Sequence, residues 1–259
     1  MNESGKIKVT FLGTGTSAGV PMIGCDCAIC TSKDPRDKRL RSSVMISSGE
    51  DNFVIDTGSD FRQQMLRENV KTLSAVIFTH EHKDHIAGMD DIRAFNFLTN
   101  KAVPVYANDL TELALRREFP YVFADLKYPG VPEIDLHKIT NQPFTINTTR
   151  FIPIEVLHFK LPVFGYRVGG FTYITDANFI SEEEKEKIKG SDVLVLNALR
   201  ILPHPAHFTL QQAIDLALEL KAGTTYFTHI SHLLGTHEEI EKELPPNIFM
   251  AYDGLKLEV

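Results

Sequence analysis

No stretch of the 259 residues approaches the roughly 20 consecutive apolar positions needed to span a bilayer. Met1 to Phe11 holds no apolar core followed by a small-residue cleavage site, so it does not read as a secretory signal. Positive charge is short as well. The chain has 27 Lys and Arg against 34 Asp and Glu, a formal net charge of -7. It thus lacks the broad basic surface that collects nucleic-acid phosphates, although bound cations can still draw a small phosphorylated substrate. Internal repeats and low-complexity tracts are absent. Cysteine is scarce, and Cys25, Cys27 and Cys30 all fall within six positions. An odd, clustered set in a reducing compartment argues for metal binding over disulfides. Together these absences predict a soluble, cytoplasmic chain with no membrane partner and no large nucleic-acid partner.

Apolar residues make up 43% of the chain, enough to bury a sizeable core without disulfides. No linker interrupts the pattern, so one domain over 1–259 is expected. Ile7 to Leu12 reads as a strand running into the turn Gly13-Thr14-Gly15-Thr16-Ser17. Ser43 to Ser48 and Asn52 to Ile55 read as paired strands, the second stopping at Asp56-Thr57-Gly58. Phe61 to Asn69 has helical spacing, and Leu73 to Phe78 is a short apolar run typical of a buried strand. A helix through Met89 to Phe97, a strand at Val103 to Ala107 and a helix at Leu110 to Glu118 follow. Residues 119–147 read as one irregular stretch rich in Pro and aromatics. A loop that long is uncommon unless functional, so Phe119 to Asn147 is either a substrate lid or a surface loop pinned by its aromatics.

Arg150 to His158 and Gly165 to Thr175 are strand-like, and Ser181 with Glu184 has the spacing of a capping box opening a charged helix. Strands at Val193 to Leu196 and Thr224 to Thr228 alternate with helices at Thr209 to Leu220 and His237 to Leu244. Short strands first and alternating strands and helices later predict two packed sheets with helices outside, in the α+β or α/β class.

The chemistry concentrates after the strand at 73–78, in Thr79-His80-Glu81-His82-Lys83-Asp84-His85. Imidazole nitrogens and carboxylate oxygens are what borderline divalent ions such as zinc prefer. His80 and His82 share a face of an extended loop, and Asp84 and His85 curve back as the chain turns into a helix, so one loop can serve two adjacent ions. His158, Asp176 and His229 each end a strand, as does Asp56.

This His-x-His-x-Asp-His run after an apolar strand resembles the signature of the metallo-β-lactamase superfamily, and the strand-end residues follow that family's order along nearly the whole chain. The resemblance implies an αββα sandwich of two mixed sheets. It implies that one ion takes His80, His82 and His158, that a second takes Asp84, His85 and His229, and that Asp176 bridges both while Asp56 orients the loop. Members that handle oxygen or electrons carry Glu where this chain has His82, which favours hydrolysis. Zinc, manganese and iron all suit the set.

In Gly24-Cys25-Asp26-Cys27-Ala28-Ile29-Cys30 three thiols share one tight loop, and a structural zinc wants a fourth ligand. His232, three residues after His229, closes the tetrahedron if this loop lies beside the rim of the site. The glycine-rich opening, Gly19-Val20-Pro21, the cysteines and Thr228-His229-Ile230-Ser231-His232 together resemble the subgroup of phosphoribosyl cyclic phosphodiesterases of phosphonate breakdown. That resemblance implies a structural zinc on Cys25, Cys27, Cys30 and His232, and a homodimer. It also implies a phosphodiesterase for a small, even cyclic, phosphodiester, in which a water between two ions attacks phosphorus, Asp176 holds the water and His207 assists the leaving oxygen. His207 has the plainer alternative of packing before a helix capped by Thr209. His204 is a second candidate, and Arg41 and Arg200 are candidate phosphate ligands or ordinary exposed arginines. Rival readings are a thioester or lactone hydrolase, a tRNA 3′-processing enzyme, against which the charge of -7 counts, and a non-catalytic metal sensor or scaffold, against which the full ligand set counts.

Overall fold

In the computed structural model, which describes residues 6–259, the apolar runs pair into two sheets. The first half contributes β1 (Lys8–Gly13), β2 (Ser43–Ser48), β3 (Asp51–Ile55), β4 (Ala75–Ile77), β5 (Val103–Ala107) and β6 (Ile134–Lys138). The second half contributes β7 (Phe144–Ile146), β8 (Thr149–His158), β9 (Leu161–Val168), β10 (Phe171–Tyr173), β11 (Phe179–Ile180), β12 (Val193–Asn197), β13 (Thr224–Thr228) and β14 (Ile248–Met250). The last strand, β15 (Lys256–Glu258), returns to the first sheet beside β1.

Each sheet has an antiparallel half and a parallel half. β1, β2 and β3 pair antiparallel, and β3 to β6 pair parallel. β8, β9 and β10 pair antiparallel, and β10, β12, β13 and β14 pair parallel. Parallel neighbours need crossovers, and helices supply them. α1 (Ala28–Thr31) lies in the cysteine loop. α2 (Phe61–Arg67), α3 (Lys83–Ile86), α4 (Arg93–Thr99) and α5 (Asp109–Glu118) serve the first sheet. α6 (Glu182–Ile188), α7 (Leu210–Leu220) and α8 (His237–Glu243) serve the second.

The period-2 alternation of strand side chains divides the core into three layers. Phe53, Ile55 and Ile77 point between the sheets, where they meet Phe151, Tyr166 and Val195. The Phe53 and Phe151 rings cross edge to face at 5.3 Å. On the outer face of the first sheet, Val54 and Val76 pack against Phe61, Met65 and Phe95. Leu194, Leu196 and Phe227 do the same for the second sheet, against Ala213, Leu216 and Ile240. The result is the expected sandwich of two mixed sheets with helices on the outer faces. Among the described residues no helix is long and apolar enough to cross a membrane.

Three expectations are corrected. Residues 119–147 are not one irregular loop: Ile134–Lys138 adds a parallel edge strand to β5, and Phe144–Ile146 pairs with β8. The run Gly165 to Thr175 is broken by a turn at Gly169-Gly170 that separates β9 from β10. Ser181 Oγ accepts from the Glu184 amide, but the Glu184 carboxylate accepts from the Glu155 amide at 2.9 Å instead of returning to the cap, so the box is half made.

One backbone contact positions the site directly. The turn after β3 lies on the start of α3 so closely that a Cβ on Gly58 would stand 2.2 Å from the Asp84 carbonyl oxygen. The Thr57 amide donates to the His85 carbonyl and the Gly88 amide to the Thr57 carbonyl, each at 2.8 Å. Gly58→Ala is expected to destabilise by about 2 kcal/mol, as overpacking does. Thermal unfolding should show a midpoint lower by several degrees, together with weaker metal retention because Asp84 must move.

Candidate metal centre

The parallel strands end with their carboxyl ends at one rim, the place where open α/β sheets hold ligands. β3 delivers Asp56, β4 delivers Thr79 and His80, β8 delivers His158, β10 delivers Asp176, and β13 delivers His229. Asp56, Asp176 and His229 all sit in the left-handed region, at φ 66°, 53° and 55°. Such backbone is unfavourable by about 1–3 kcal/mol per non-glycine residue and tends to cluster at functional sites.

Asp56 is fully buried and organises the rest. Its carboxylate accepts from the Thr79 amide and hydroxyl, each at 2.8 Å, and from His85 Nδ1 at 2.7 Å. Thr79 Oγ has one proton and gives it to Asp56, so toward His80 Nδ1, 2.9 Å away, it can only accept. Both histidines therefore carry a proton on Nδ1 and direct Nε2 inward. His158 is set the same way, its Nδ1 donating to the Ala206 carbonyl at 2.8 Å. Fixing the tautomer through the outer nitrogen is how metal-binding histidines are prepared.

The inward atoms converge. The ligand atoms of His80, His82 and His158 lie within 4.8 Å of one another, as do those of Asp84, His85 and His229. Asp176 stands between these groups, with Oδ2 2.7 Å from His85 Nε2 and Oδ1 3.0 Å from His229 Nε2. His80 Nε2 and His85 Nε2 are buried without a hydrogen-bond partner, and the short His85–Asp176 approach is not a directed hydrogen bond. Burial alone would pull the His85 pKa down, but the carboxylates of Asp84, Asp176 and Asp56 outweigh it and hold the imidazole well above its usual range. That proton stands where a stronger positive charge belongs. An N and O donor set, inward lone pairs and excess buried carboxylate all fit divalent cations.

Of the other candidates, His207 joins the cluster. Its Nδ1 lies 3.4 Å from Asp176 Oδ1, buried and unpartnered, and burial with the neighbouring His229 lowers its pKa to about 3. His204 stays outside the ligand groups, its Nδ1 accepting from the Ala206 amide. Arg200 turns back on its own loop, donating to the Leu202 and Pro203 carbonyls. Arg41 is held by Asp60 and the Ser17 carbonyl. Neither arginine is aimed at the cluster. The Tyr121 hydroxyl donates to Asp90, tying residues 119–123 to the segment that follows His85. Sequence reasoning missed Asn197, which clamps the Ala177 amide and carbonyl beside Asp176, and Thr16, whose hydroxyl lies 3.2 Å from His229 Nε2. An Asn ending the apolar run Val193 to Leu196 was the available signal.

The cysteine loop lies beside this rim. Its three sulfurs and His232 Nδ1 fall within 4.8 Å of one another, with Cys25 and Cys27 Sγ at 3.3 and 3.4 Å from that nitrogen. A zinc with bonds of about 2.3 Å to sulfur and 2.0 Å to nitrogen spaces its tetrahedral ligands by about 3.5 Å. The amide hydrogen bond from Cys30 and the His232 ring lower the Cys27 thiol to about 6, while burial raises Cys30 to about 11. These four residues fit a closed zinc site.

A sandwich of this topology carrying such a rim is that of the metallo-β-lactamase fold. The family described as the β-lactamase superfamily domain matches residues 51–230, and the chain belongs to it. It is 44% identical to a diphosphatase of the PhnP family of known crystal structure, with a TM-score of 0.93 over 98% of this chain and 97% of that one. It is 37% identical over 253 residues to an octanoyltransferase of Porphyromonas gingivalis, covering 96% of this chain and 51% of that protein. A ribonuclease Z of Prochlorococcus marinus is 25% identical over 217 residues, covering 82% of this chain and 61% of that protein. The chain thus spans about half to three fifths of the length of these two relatives.

Asp56→Asn should weaken metal binding by roughly 10- to 100-fold, as loss of a supporting carboxylate does. Competition with a calibrated chelator measures it, and an unchanged affinity would show that Asp56 does not organise the ligands. Cys27→Ser should lower thermal stability and remove one zinc per chain while leaving the His and Asp centre loaded; metal analysis with calorimetry reads both.

Proposed function

We propose that the chain is a phosphoric ester hydrolase with a dinuclear metal centre, acting on a small phosphodiester, cyclic ones included. The observation that carries this reading is the pair of ligand triads meeting on Asp176, with His80, His85 and His158 held in the tautomer that aims Nε2 inward. One set would be His80, His82 and His158, the other Asp84, His85 and His229, with Asp176 shared. Divalent ions held there, whether zinc, manganese or iron, supply Lewis acidity and lower the pKa of water.

The protein's own contributions follow from its groups. Asp56 and Thr79 keep the imidazoles from rotating, so substrate meets a fixed array at no reorganisation cost. Asp176, held by its left-handed backbone and the Asn197 clamp on its neighbour, orients what lies between the triads. The His207 imidazole beside Asp176 is suited to give a hydrogen bond to a phosphoryl oxygen or to the departing oxygen. Cys25, Cys27, Cys30 and His232 would hold the third ion and brace the loop of His229.

Hydrolysis of a diphosphate link is a second reading, supported by the likeness to the PhnP-family diphosphatase. Both readings need the same centre and differ in the leaving group. A substrate panel on the metal-reconstituted protein separates them: bis(p-nitrophenyl) phosphate, a ribose cyclic phosphate, a nucleoside diphosphate and an octanoyl thioester. The expected result is turnover of phosphoric esters that a chelator abolishes and added divalent metal restores. Turnover of the diphosphate alone would favour the second reading, and turnover of the thioester alone would overturn both.

A further inference from the structure

Beside the metal centre, the two-residue turn between β8 and β9 needs a positive φ at its first position, and a bulky aromatic fills it where glycine or asparagine is usual. Phe159 directly follows His158, takes a left-handed backbone at φ 59°, and is 57% exposed as a residue. For a bulky aromatic residue this conformation is a genuine outlier. It is held by the Asn178 side chain, whose Oδ1 accepts from the Phe159 amide at 2.6 Å. Asn178 is itself two residues past Asp176, so the elements that carry two ligands also hold this ring out. The Lys160 ammonium stands 5.5 Å from the ring centroid.

The space beside the ring is a cavity of about 630 Å³. His82 and His158 reach it from the metal side. Phe159 and Leu161 line it from the hairpin, and Pro205 and Ala206 line it from the loop of His207. It is therefore a largely apolar slot continuous with the ligands, bearing one cation.

We infer that Phe159 and Lys160 form the subsite for the organic arm of the substrate, and that this arm is a flat ring on a short phosphorylated linker, as in a nucleotide. The ring stacks on Phe159 between the hairpin and Pro205. Lys160 pairs with a phosphoryl oxygen that is not engaged at the metal centre. Stacking of a base on an aromatic side chain is worth about 1–3 kcal/mol and tolerates any base, so the subsite selects for a ring without reading its identity. This assignment rests on the phosphoric ester reading for its substrate and on the cavity for its geometry.

The test compares two substrates with one leaving group, thymidine 5′-(p-nitrophenyl phosphate) and methyl p-nitrophenyl phosphate, on the metal-loaded protein. Phe159→Ala should lower the ratio of kcat/KM for the nucleoside ester over the methyl ester by about tenfold, mostly through KM, as loss of stacking predicts. Phe159→Trp should keep the ratio at or above wild type. A parallel fall for both esters, or an unchanged ratio, overturns the subsite. Binding of thymidine 5′-monophosphate by calorimetry gives a second reading independent of turnover. Weaker binding by Phe159→Ala and by Lys160→Ala is expected, and wild-type binding by both variants, or no binding by wild type, overturns the proposal. If wild type turns over neither ester while nucleotide binding still depends on Phe159, the phosphoric ester reading fails and the subsite stands.

Discussion

Burying carboxylates among imidazoles is the constraint from which the rest of this structure follows. Asp56, Asp84 and Asp176 lie in or near the interior beside His80, His85 and His229, where an unpaired charge is strongly disfavoured. Protons alone answer that demand poorly: burial pushes His80 well below its ordinary range even as the carboxylates push His85 well above. Cations answer it well. The fold keeps the cluster together against its own repulsion, with two sheets that meet over an aromatic core and bring their carboxyl ends to one rim.

The rim is braced from two sides. From the first sheet, the interlocked turns at Gly58 and Gly88 and the three hydrogen bonds to Asp56 hold the histidine loop. From the second, Asn197 clamps the residue after Asp176, while the loop of His229 is stitched to the chain start: the Thr16 amide donates to the Ile230 carbonyl, and the Ile230 amide to the Thr14 carbonyl. The cysteine loop continues from that stitched segment and reaches His232. A third ion there would tie the N-terminal loop to the strand end that carries His229, linking a stability element to the geometry of the centre without sharing a ligand.

Much of this was legible in the chain, for a physical reason. His80, His158, Asp176 and His229 each stand at the end of a strand-like run, and a polar group there has either a ligand or a partner waiting for it. The cysteine triad was legible because it is local. Contacts made through the backbone were not. The Ala206 carbonyl that sets the His158 tautomer carries no side-chain signal, and the self-directed hydrogen bonds of Arg200 depend on a turn no spacing reveals. The strand at Ile134–Lys138 was hidden because it is a half-exposed edge with His137 and Lys138 on it, and Gly169-Gly170 looked like one strand because apolar residues flank both sides. Phe159 was missed because nothing in its neighbourhood predicts a left-handed backbone.

The proposed centre holds two adjacent cations, one on each of the triads that meet on Asp176. Anomalous diffraction at the metal edge from metal-loaded crystals tests it most directly. Two peaks are expected about 3.5–4 Å apart at the rim, the spacing of two-metal hydrolytic sites, one against His80, His82 and His158 and the other against Asp84, His85 and His229. A single peak there, or peaks that leave Asp176 uncoordinated, would contradict it.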